Sequence, residues 1–158
     1  MRRLGVAIVL CALLSAHSLH AQSNKAPGVA PLPATIADAK TIFIPNTVGS
    51  DAAYDTFYTG MKQWGKYAIV DSAANADLIF EITFLPDRTF DSTTHLPSSD
   101  VVGPQYVLTI SDAKTNAVLW TEIERRRLAA REKEREKEAV ISVQRLVEDV
   151  KARAAVTQ

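Results

Sequence analysis

The residues best equipped for chemistry in this sequence lie in the segment 87–100. Asp87, Asp91, His95 and Asp100 follow one another at intervals of four, four and five residues. Carboxylates and imidazole are groups that bind divalent metals, so this spacing raises the hypothesis of a metal site. A metal needs three or four ligands that converge on one point, and spacing within a loop does not enforce convergence. We therefore interpret these residues as polar loop residues and predict no metal site and no cofactor.

The same segment contains the parts of a nucleophilic hydrolase. Ser98 or Ser99 could act as nucleophile, His95 as base, and Asp91 or Asp100 as the residue that orients the histidine. Such a triad is recognised by its geometry, and the Gly-x-Ser-x-Gly turn that exposes a catalytic serine is absent from the chain. A hydrolase or a metal-binding protein that uses this segment is therefore the alternative interpretation, and we assign no catalytic residue.

The amino terminus has the form of a secretory signal peptide. A positively charged start precedes an apolar run from Leu4 to Leu14, and the small residue Ala21 stands before a polar segment. We predict that residues 1–21 are a signal peptide cleaved after Ala21 and that the mature protein is periplasmic or secreted. A retained membrane anchor is the alternative, but this run is shorter than the roughly 20 apolar residues that cross a bilayer.

Removal of the leader would change the chemistry available to the chain. Cys11 is the only cysteine, and Leu10 precedes it where a lipid-anchor signal needs a small residue, so we predict no lipoprotein. The mature chain would keep one histidine, His95, and no thiol, which excludes disulfides and cysteine chemistry. Loss of two arginines leaves 16 basic residues against 18 acidic residues, a net charge of about −2. That charge gives no electrostatic case for nucleic-acid binding.

Composition divides the rest of the chain into a linker and one domain. Residues 22–37 contain three prolines among small residues and show no hydrophobic period, so we predict a flexible linker. Residues 38–156 are enough for one hydrophobic core and too few for two, so we predict a single domain. Without disulfides, the core alone must stabilise that domain.

Hydrophobic periods predict five strands and two helices in the domain. The strands are expected at 41–44, 66–70, 77–85, 105–111 and 117–123, with Val118 and Trp120 on one side of the last strand. The helices are expected at 51–64, between Ser50 and Gly65, and at 131–155. The order β-α-β-β-β-β-α predicts an α/β (α+β) fold with a mixed, largely antiparallel sheet and both helices packed on one face.

Three further patterns receive structural interpretations. Aromatic residues at helical spacing in the first helix indicate core packing rather than a ligand-stacking surface. The triplet Arg125–Arg127 could bind phosphate or anionic lipid, but Glu122, Glu124 and Glu132 flank it, so we interpret it as a solvated strand end or helix start. The apolar stripe of the last helix spans only about two heptads, which favours docking on the sheet over a coiled coil with a partner.

Three short segments resemble parts of small exported bacterial α/β proteins. They are Ala76–Phe80 at the start of a strand, Leu108–Asp112 before a turn, and Val118–Trp120 after that turn. In organisation, residues 38–155 are similar to the amino-terminal domain of TolB and to the curli-secretion lipoproteins. The resemblance implies a sheet covered by helices and a periplasmic role through contacts with other proteins or envelope components. It carries no catalytic residue.

Together these patterns favour an exported, non-catalytic envelope accessory or binding module over an enzyme. If both helices cover one face of the sheet, the other face is left to solvent or to a partner, and Glu81, Thr83, Thr109 and Thr121 suit such a face. We expect the partner to be an envelope protein or component and not nucleic acid, and we expect no integral membrane segment after cleavage.

Overall fold

The computed structural model describes residues 30–86 and 103–156, which form three helices and five strands. The helices are α1 (Ala34–Asp38), α2 (Asp51–Trp64) and α3 (Glu132–Val156). The strands are β1 (Thr41–Phe43), β2 (Ala68–Val70), β3 (Leu78–Leu85), β4 (Gln105–Asp112) and β5 (Val118–Arg125). None of the helices in these two ranges is long and apolar enough to cross a membrane.

The five strands form one mixed sheet in the order β2-β1-β3-β4-β5. β1 pairs in parallel with both β2 and β3, whereas the pairs β3–β4 and β4–β5 are antiparallel. α2 connects β1 to β2, because parallel neighbours need a long crossover. The predicted α/β (α+β) fold and its largely antiparallel sheet are confirmed, and the predicted order of strands and helices is confirmed from β1 onward.

α2 and α3 pack on the same face of the sheet, as predicted. Leu78, Phe80 and Ile82 alternate toward this face from β3, and all three are buried. They belong to one hydrophobic core with residues of the two helices and of β4, namely Phe57, Met61, Tyr106, Leu108, Ile110, Val143, Leu146, Val147, Val150 and Ala154. The aromatic stripe of α2 is therefore core, and the apolar stripe of α3 docks within the chain.

The ends of α2 are confirmed at the residues that the sequence predicts. Ser50 precedes the helix in an extended conformation, and its hydroxyl accepts a hydrogen bond from the Ala53 N–H at 3.4 Å. Gly65 follows the helix at φ 69°, a left-handed conformation that glycine adopts without a steric cost. Its N–H donates to the Met61 carbonyl at 3.2 Å, which satisfies one of the last carbonyls of the helix.

The first turns of α3 extend beyond the sheet. Residues 132–137 are all exposed, and burial begins at Ala139. Arg135 donates from Nη1 to the Ala130 carbonyl at 2.9 Å, which closes the chain back onto the start of the helix. The charged half of α3 thus projects and its apolar half packs, as the sequence predicts.

Residues 30–38 differ from the predicted flexible linker. Leu32 and Ile36 are buried in the core, and Ile36 is a residue of α1. The Tyr67 hydroxyl donates to the Ile36 carbonyl at 2.9 Å, and burial raises the pKa of Tyr67 to about 12. Leu32 and Ile36 are only two apolar residues among prolines and small residues, so they form no hydrophobic period. The sequence pattern therefore gives no sign that they are buried. The linker prediction for residues 22–37 is wrong from Leu32 onward.

β5 contains a bulge that the alternation of its residues does not reveal. Ile110 pairs with Trp120, but the next residue of β4, Ser111, pairs with Val118, so Leu119 is an extra residue. Val118 therefore lies opposite Ser111 on the face away from the helices and is 62% exposed, whereas Trp120 packs against the core. The prediction that Val118 and Trp120 share one side is wrong.

Candidate binding surface

The sheet face opposite the helices has no buried residue in the described part of the chain. Glu81 pairs directly with Thr109, and Thr109 with Thr121, so these three side chains form a row across β3, β4 and β5. Thr83 lies on the same face of β3 and is exposed. The four residues predicted for this face therefore share it. The surface is named the open face and comprises alternate residues of β3 from Ile79 to Leu85, of β4 from Gln105 to Ser111 and of β5 from Thr121 to Arg125, together with Val118.

The open face combines apolar and hydrogen-bonding groups. Leu85 is 38% exposed and Ile123 is 52% exposed, so apolar area reaches the surface on two different strands. Threonine hydroxyls both donate and accept hydrogen bonds, and Glu81 and Arg125 add one charge of each sign. A surface with this mixture resembles in chemistry the surfaces by which proteins bind each other.

A partly buried ion pair joins β5 to α3 on the helix-covered face. Arg153 Nε lies 2.8 Å from Glu122 Oε2, and the Arg153 guanidinium lies 5.3 Å from the ring centroid of Trp120. Arg153 Nη1 also donates to the Ala30 carbonyl at 3.2 Å. One arginine thereby holds three parts of the chain together: the segment before α1, the last strand and the last helix.

Three more charged groups lie at the contact between β5 and α3, namely Glu124 of β5 and Arg145 and Asp149 of α3. Arg145 Nη1 lies 3.0 Å from Glu124 Oε1. Burial, and then the charges of Glu122 and Glu124, raise the pKa of Asp149, which stands on α3 near both glutamates. Sequence reasoning missed this charged layer, although the two-residue period places both glutamates on the same side of β5 as Trp120. Across residues 30–86 and 103–156, no cluster of three or more acidic, histidine or cysteine side chains could hold a metal.

The three adjacent arginines at the end of β5 have different surroundings. Arg125 and Arg127 are exposed. The Arg126 guanidinium lies 4.5 Å from the ring centroid of Phe84 and forms a hydrogen bond with the Tyr106 side chain. Burial raises the pKa of Tyr106, while Arg126 opposes that rise. The interpretation as solvated arginines holds for the two outer residues and is wrong for Arg126, which packs against the sheet.

The aspartates in the segments that resemble exported proteins bind backbone groups. Asp77 Oδ2 accepts hydrogen bonds from the N–H groups of Lys40 and Thr41 at 2.9 and 3.0 Å, which joins β3 to the start of β1. These bonds lower the pKa of Asp77. Asp112 Oδ1 accepts from the Thr115 N–H at 2.8 Å within the β4–β5 turn, and such bonds lower its pKa too. Both carboxylates are structural.

A groove of about 620 Å³ lies between α2 and α3 and is a second candidate surface. Its walls are mainly polar side chains, among them Asp55, Thr59, Gln63, Gln144 and Lys151. The helices approach closely along it, because a Cβ atom added at Gly60 would lie 3.1 Å from Val147 Cγ1. Lys151 forms an ion pair with Glu148 at 2.8 Å, in which the Glu148 side chain is 70% exposed. The groove is therefore a solvated seam between two helices.

The residues of the metal and triad hypotheses lie outside the described residues. They are Asp87, Asp91, His95, Ser98, Ser99 and Asp100. The predicted signal peptide at residues 1–21 lies outside them as well. These hypotheses stay predictions.

The fold is similar to those of several solved bacterial proteins. A PelC dodecamer from Paraburkholderia phytofirmans aligns with a TM-score of 0.46 at 11% identity, over 78% of this chain and 94% of that one. Uncharacterized lipoprotein B from Nitrosomonas europaea aligns with a TM-score of 0.40 at 20% identity, over 83% and 89%. A DUF330 protein from Xanthomonas campestris aligns with a TM-score of 0.44 at 11% identity, over 82% and 91%.

These similarities concern the fold alone. The chain matches no protein-family model and no curated protein. At such low identities no role of an individual residue transfers from the solved structures to this chain. The likeness to the amino-terminal domain of TolB and to the curli-secretion lipoproteins stays a prediction.

Proposed function

We propose that this protein is an exported, non-catalytic binding module of the bacterial envelope and that a partner protein binds its open face. The observation that carries the proposal is the open face itself, which spans three strands and has no buried residue in the described ranges. The predicted signal peptide at residues 1–21 supports export. The carboxylates Asp77 and Asp112 support a non-catalytic role, because backbone hydrogen bonds already occupy them.

The shape and chemistry of the open face favour a protein over a small molecule. Small molecules bind in concave sites that bury most of their surface, whereas this face belongs to a sheet. Its exposed Leu85 and Ile123 provide apolar contact on two strands, and the hydroxyls of Thr83, Thr109 and Thr121 provide hydrogen bonds beside them. Protein interfaces likewise combine apolar contacts with hydrogen bonds.

Two pairs of lysine substitutions test the proposal. Thr83→Lys with Thr109→Lys places two charges on the open face, whereas Thr59→Lys with Gln144→Lys places two charges in the groove between α2 and α3. The full chain and both double variants are used to capture proteins from bacterial envelope extract. Binding of each captured protein is then measured with purified components.

The open-face pair should lose the partner that the wild-type chain binds, and the groove pair should retain it. Circular dichroism and thermal melting establish that both pairs are folded. Equal binding by the wild-type chain and the open-face pair would refute the open face as the binding surface. Loss of binding by the groove pair alone would assign the function to the groove instead.

A further inference from the structure

Positive charge is concentrated where β5 leads into α3. Residues 125–131 contain four arginines and no acidic residue, and this segment is named the basic end. The rest of the described chain, residues 30–86, 103–124 and 132–156, has ten basic and fifteen acidic residues, an excess of five negative charges. The first two turns of α3, residues 132–137, hold three residues of each sign and add no net charge. The basic end is therefore one positive segment on an otherwise negative chain.

The glutamates that precede the basic end do not cancel its charge. Arg153 Nε lies 2.8 Å from Glu122 Oε2. Arg145 Nη1 lies 3.0 Å from Glu124 Oε1. Both glutamates are thus paired with arginines of α3, whereas no arginine of the basic end forms an ion pair with another described residue. The charge of the triplet Arg125–Arg127 consequently remains available to a partner.

An exposed leucine lies in the middle of the basic end. Leu128 is 71% exposed and belongs to the six-residue connection between β5 and α3. At the start of this connection, the Arg126 N–H donates to the Pro104 carbonyl at 2.8 Å. Near its end, Arg135 Nη1 donates to the Ala130 carbonyl at 2.9 Å. Both ends are thus fixed to the domain, and Leu128 is presented to solvent between arginines.

We infer that the basic end binds the surface of an anionic membrane and that Leu128 enters the interface between headgroups and acyl chains. Clustered arginines are attracted to anionic headgroups, and the same interface takes up apolar side chains. A soluble polyanion would satisfy the arginines but leave Leu128 in water. A stable protein interface involves roughly 20–30 residues on each side, far more than this segment offers, whereas each basic residue adds to membrane binding separately. The basic end shares only Arg125 with the open face, so this inference does not rest on the proposed function.

Vesicle co-sedimentation tests the inference with the exported protein, produced from the full gene. Vesicles of phosphatidylglycerol and phosphatidylcholine provide an anionic surface, and vesicles of phosphatidylcholine alone provide a neutral one. Binding through the apolar run from Leu4 to Leu14, if the leader is retained, would contribute to both, so the readout is the excess binding to the anionic vesicles. That excess should be large for the wild-type chain in low salt and should fall in high salt, which screens the charges.

Two variants of the basic end separate attraction between charges from insertion of the leucine. Arg127→Gln with Arg131→Gln should weaken binding to anionic vesicles roughly 20-fold, because each basic residue near such a surface contributes about fivefold in affinity. Leu128→Ser should weaken it roughly tenfold through the lost burial of an apolar side chain. The matched control is Lys62→Gln with Lys114→Gln, which removes two exposed cations outside the basic end, with Lys114 in the turn at the other end of β5. It should change binding by less than about twofold, since charges farther from the membrane than a Debye length of about 10 Å are screened.

Three results would overturn the inference. Circular dichroism establishes that each variant is folded, and Leu128→Ser is an independent test if the arginine pair does not fold. Equal binding of the wild-type chain to anionic and neutral vesicles would refute the membrane as the partner, and so would an equal loss of binding in the lysine pair and the arginine pair. Unchanged binding by Leu128→Ser would refute insertion of the leucine. Binding to soluble polyglutamate without binding to vesicles would assign the basic end to an acidic protein instead.

Discussion

The ion pair between Arg153 and Glu122 allows a quantitative test of how α3 is held on the sheet. The two side chains are 20% and 15% exposed, so the pair is neither fully solvated nor fully buried. Exposed pairs contribute about 0–1 kcal/mol, and removal of one partner from a buried pair costs roughly 3–5 kcal/mol. The contact with Trp120 adds about 0.5 kcal/mol. We therefore expect Arg153→Gln to lower the free energy of unfolding by about 2 kcal/mol.

Urea unfolding followed by tryptophan fluorescence measures this loss. For a domain of this size it corresponds to a melting temperature lowered by about 8 °C. Glu122→Gln and the double variant complete a double-mutant cycle, for which we expect a coupling energy of about 1 kcal/mol. Lys151→Gln is the matched control. It removes an ion pair whose side chains are 27% and 70% exposed, and it should cost less than about 0.5 kcal/mol.

Two results would refute this reasoning. If the effects of Arg153→Gln and Glu122→Gln add to within about 0.3 kcal/mol, the two side chains do not interact energetically. If Lys151→Gln destabilises the protein as much as Arg153→Gln does, partial burial does not strengthen the pair. The first outcome would mean that this ion pair does not help to hold α3 against the sheet, and the second that its burial gives it no advantage over an exposed pair.

Three other substitutions probe the core, the helix contact and the pH dependence. Ser142 is buried, and its hydroxyl has no hydrogen-bond partner among the described residues. Ser142→Ala should therefore raise the unfolding free energy measured in urea by about 1 kcal/mol. A decrease would show that the hydroxyl is hydrogen-bonded. Gly60→Ala should lower the unfolding free energy of the wild-type chain, because the added methyl group would press against Val147. In a Val147→Ala background that contact is absent, and the same substitution should raise the unfolding free energy by about 1 kcal/mol through the higher helix propensity of alanine. An effect of the same sign in both backgrounds would contradict the contact. Because hydrogen bonds lower the pKa of Asp77 from 3.8, its stabilisation is complete above pH 3.8 and is lost as the pH falls through the folded-state pKa. Urea titrations should therefore show that the difference between wild type and Asp77→Asn shrinks in acid, and a constant difference would contradict the role of the carboxylate.

Local signals in the sequence were sufficient for most of the architecture. α2 was predicted at both ends because Ser50 and Gly65 act within one turn of the helix. β3 was predicted because its alternation of Leu78, Phe80 and Ile82 is not interrupted. The open face followed from the same two-residue period, which fixes the side of the sheet on which Thr83 lies.

The features that were missed depend on contacts between distant parts of the chain. Glu122 lies 31 residues from Arg153, and no local pattern shows that the two form an ion pair. The burial of Leu32 depends on a core formed by residues that follow it. The bulge at Leu119 changes the pairing by one residue, and the composition of β5 contains no glycine or proline that would indicate it.

The projecting start of α3 has a consequence for how the domain opens. Its first two turns, residues 132–137, have no buried side chain, so their backbone hydrogen bonds break without exposing any of the core. Like charges recur there at four-residue intervals, as in Glu132 and Glu136, and weaken the helix locally. These amides should exchange hydrogen with solvent before those near Val143. Trypsin should cleave after Lys133 and Arg135 while the rest of the domain stays folded.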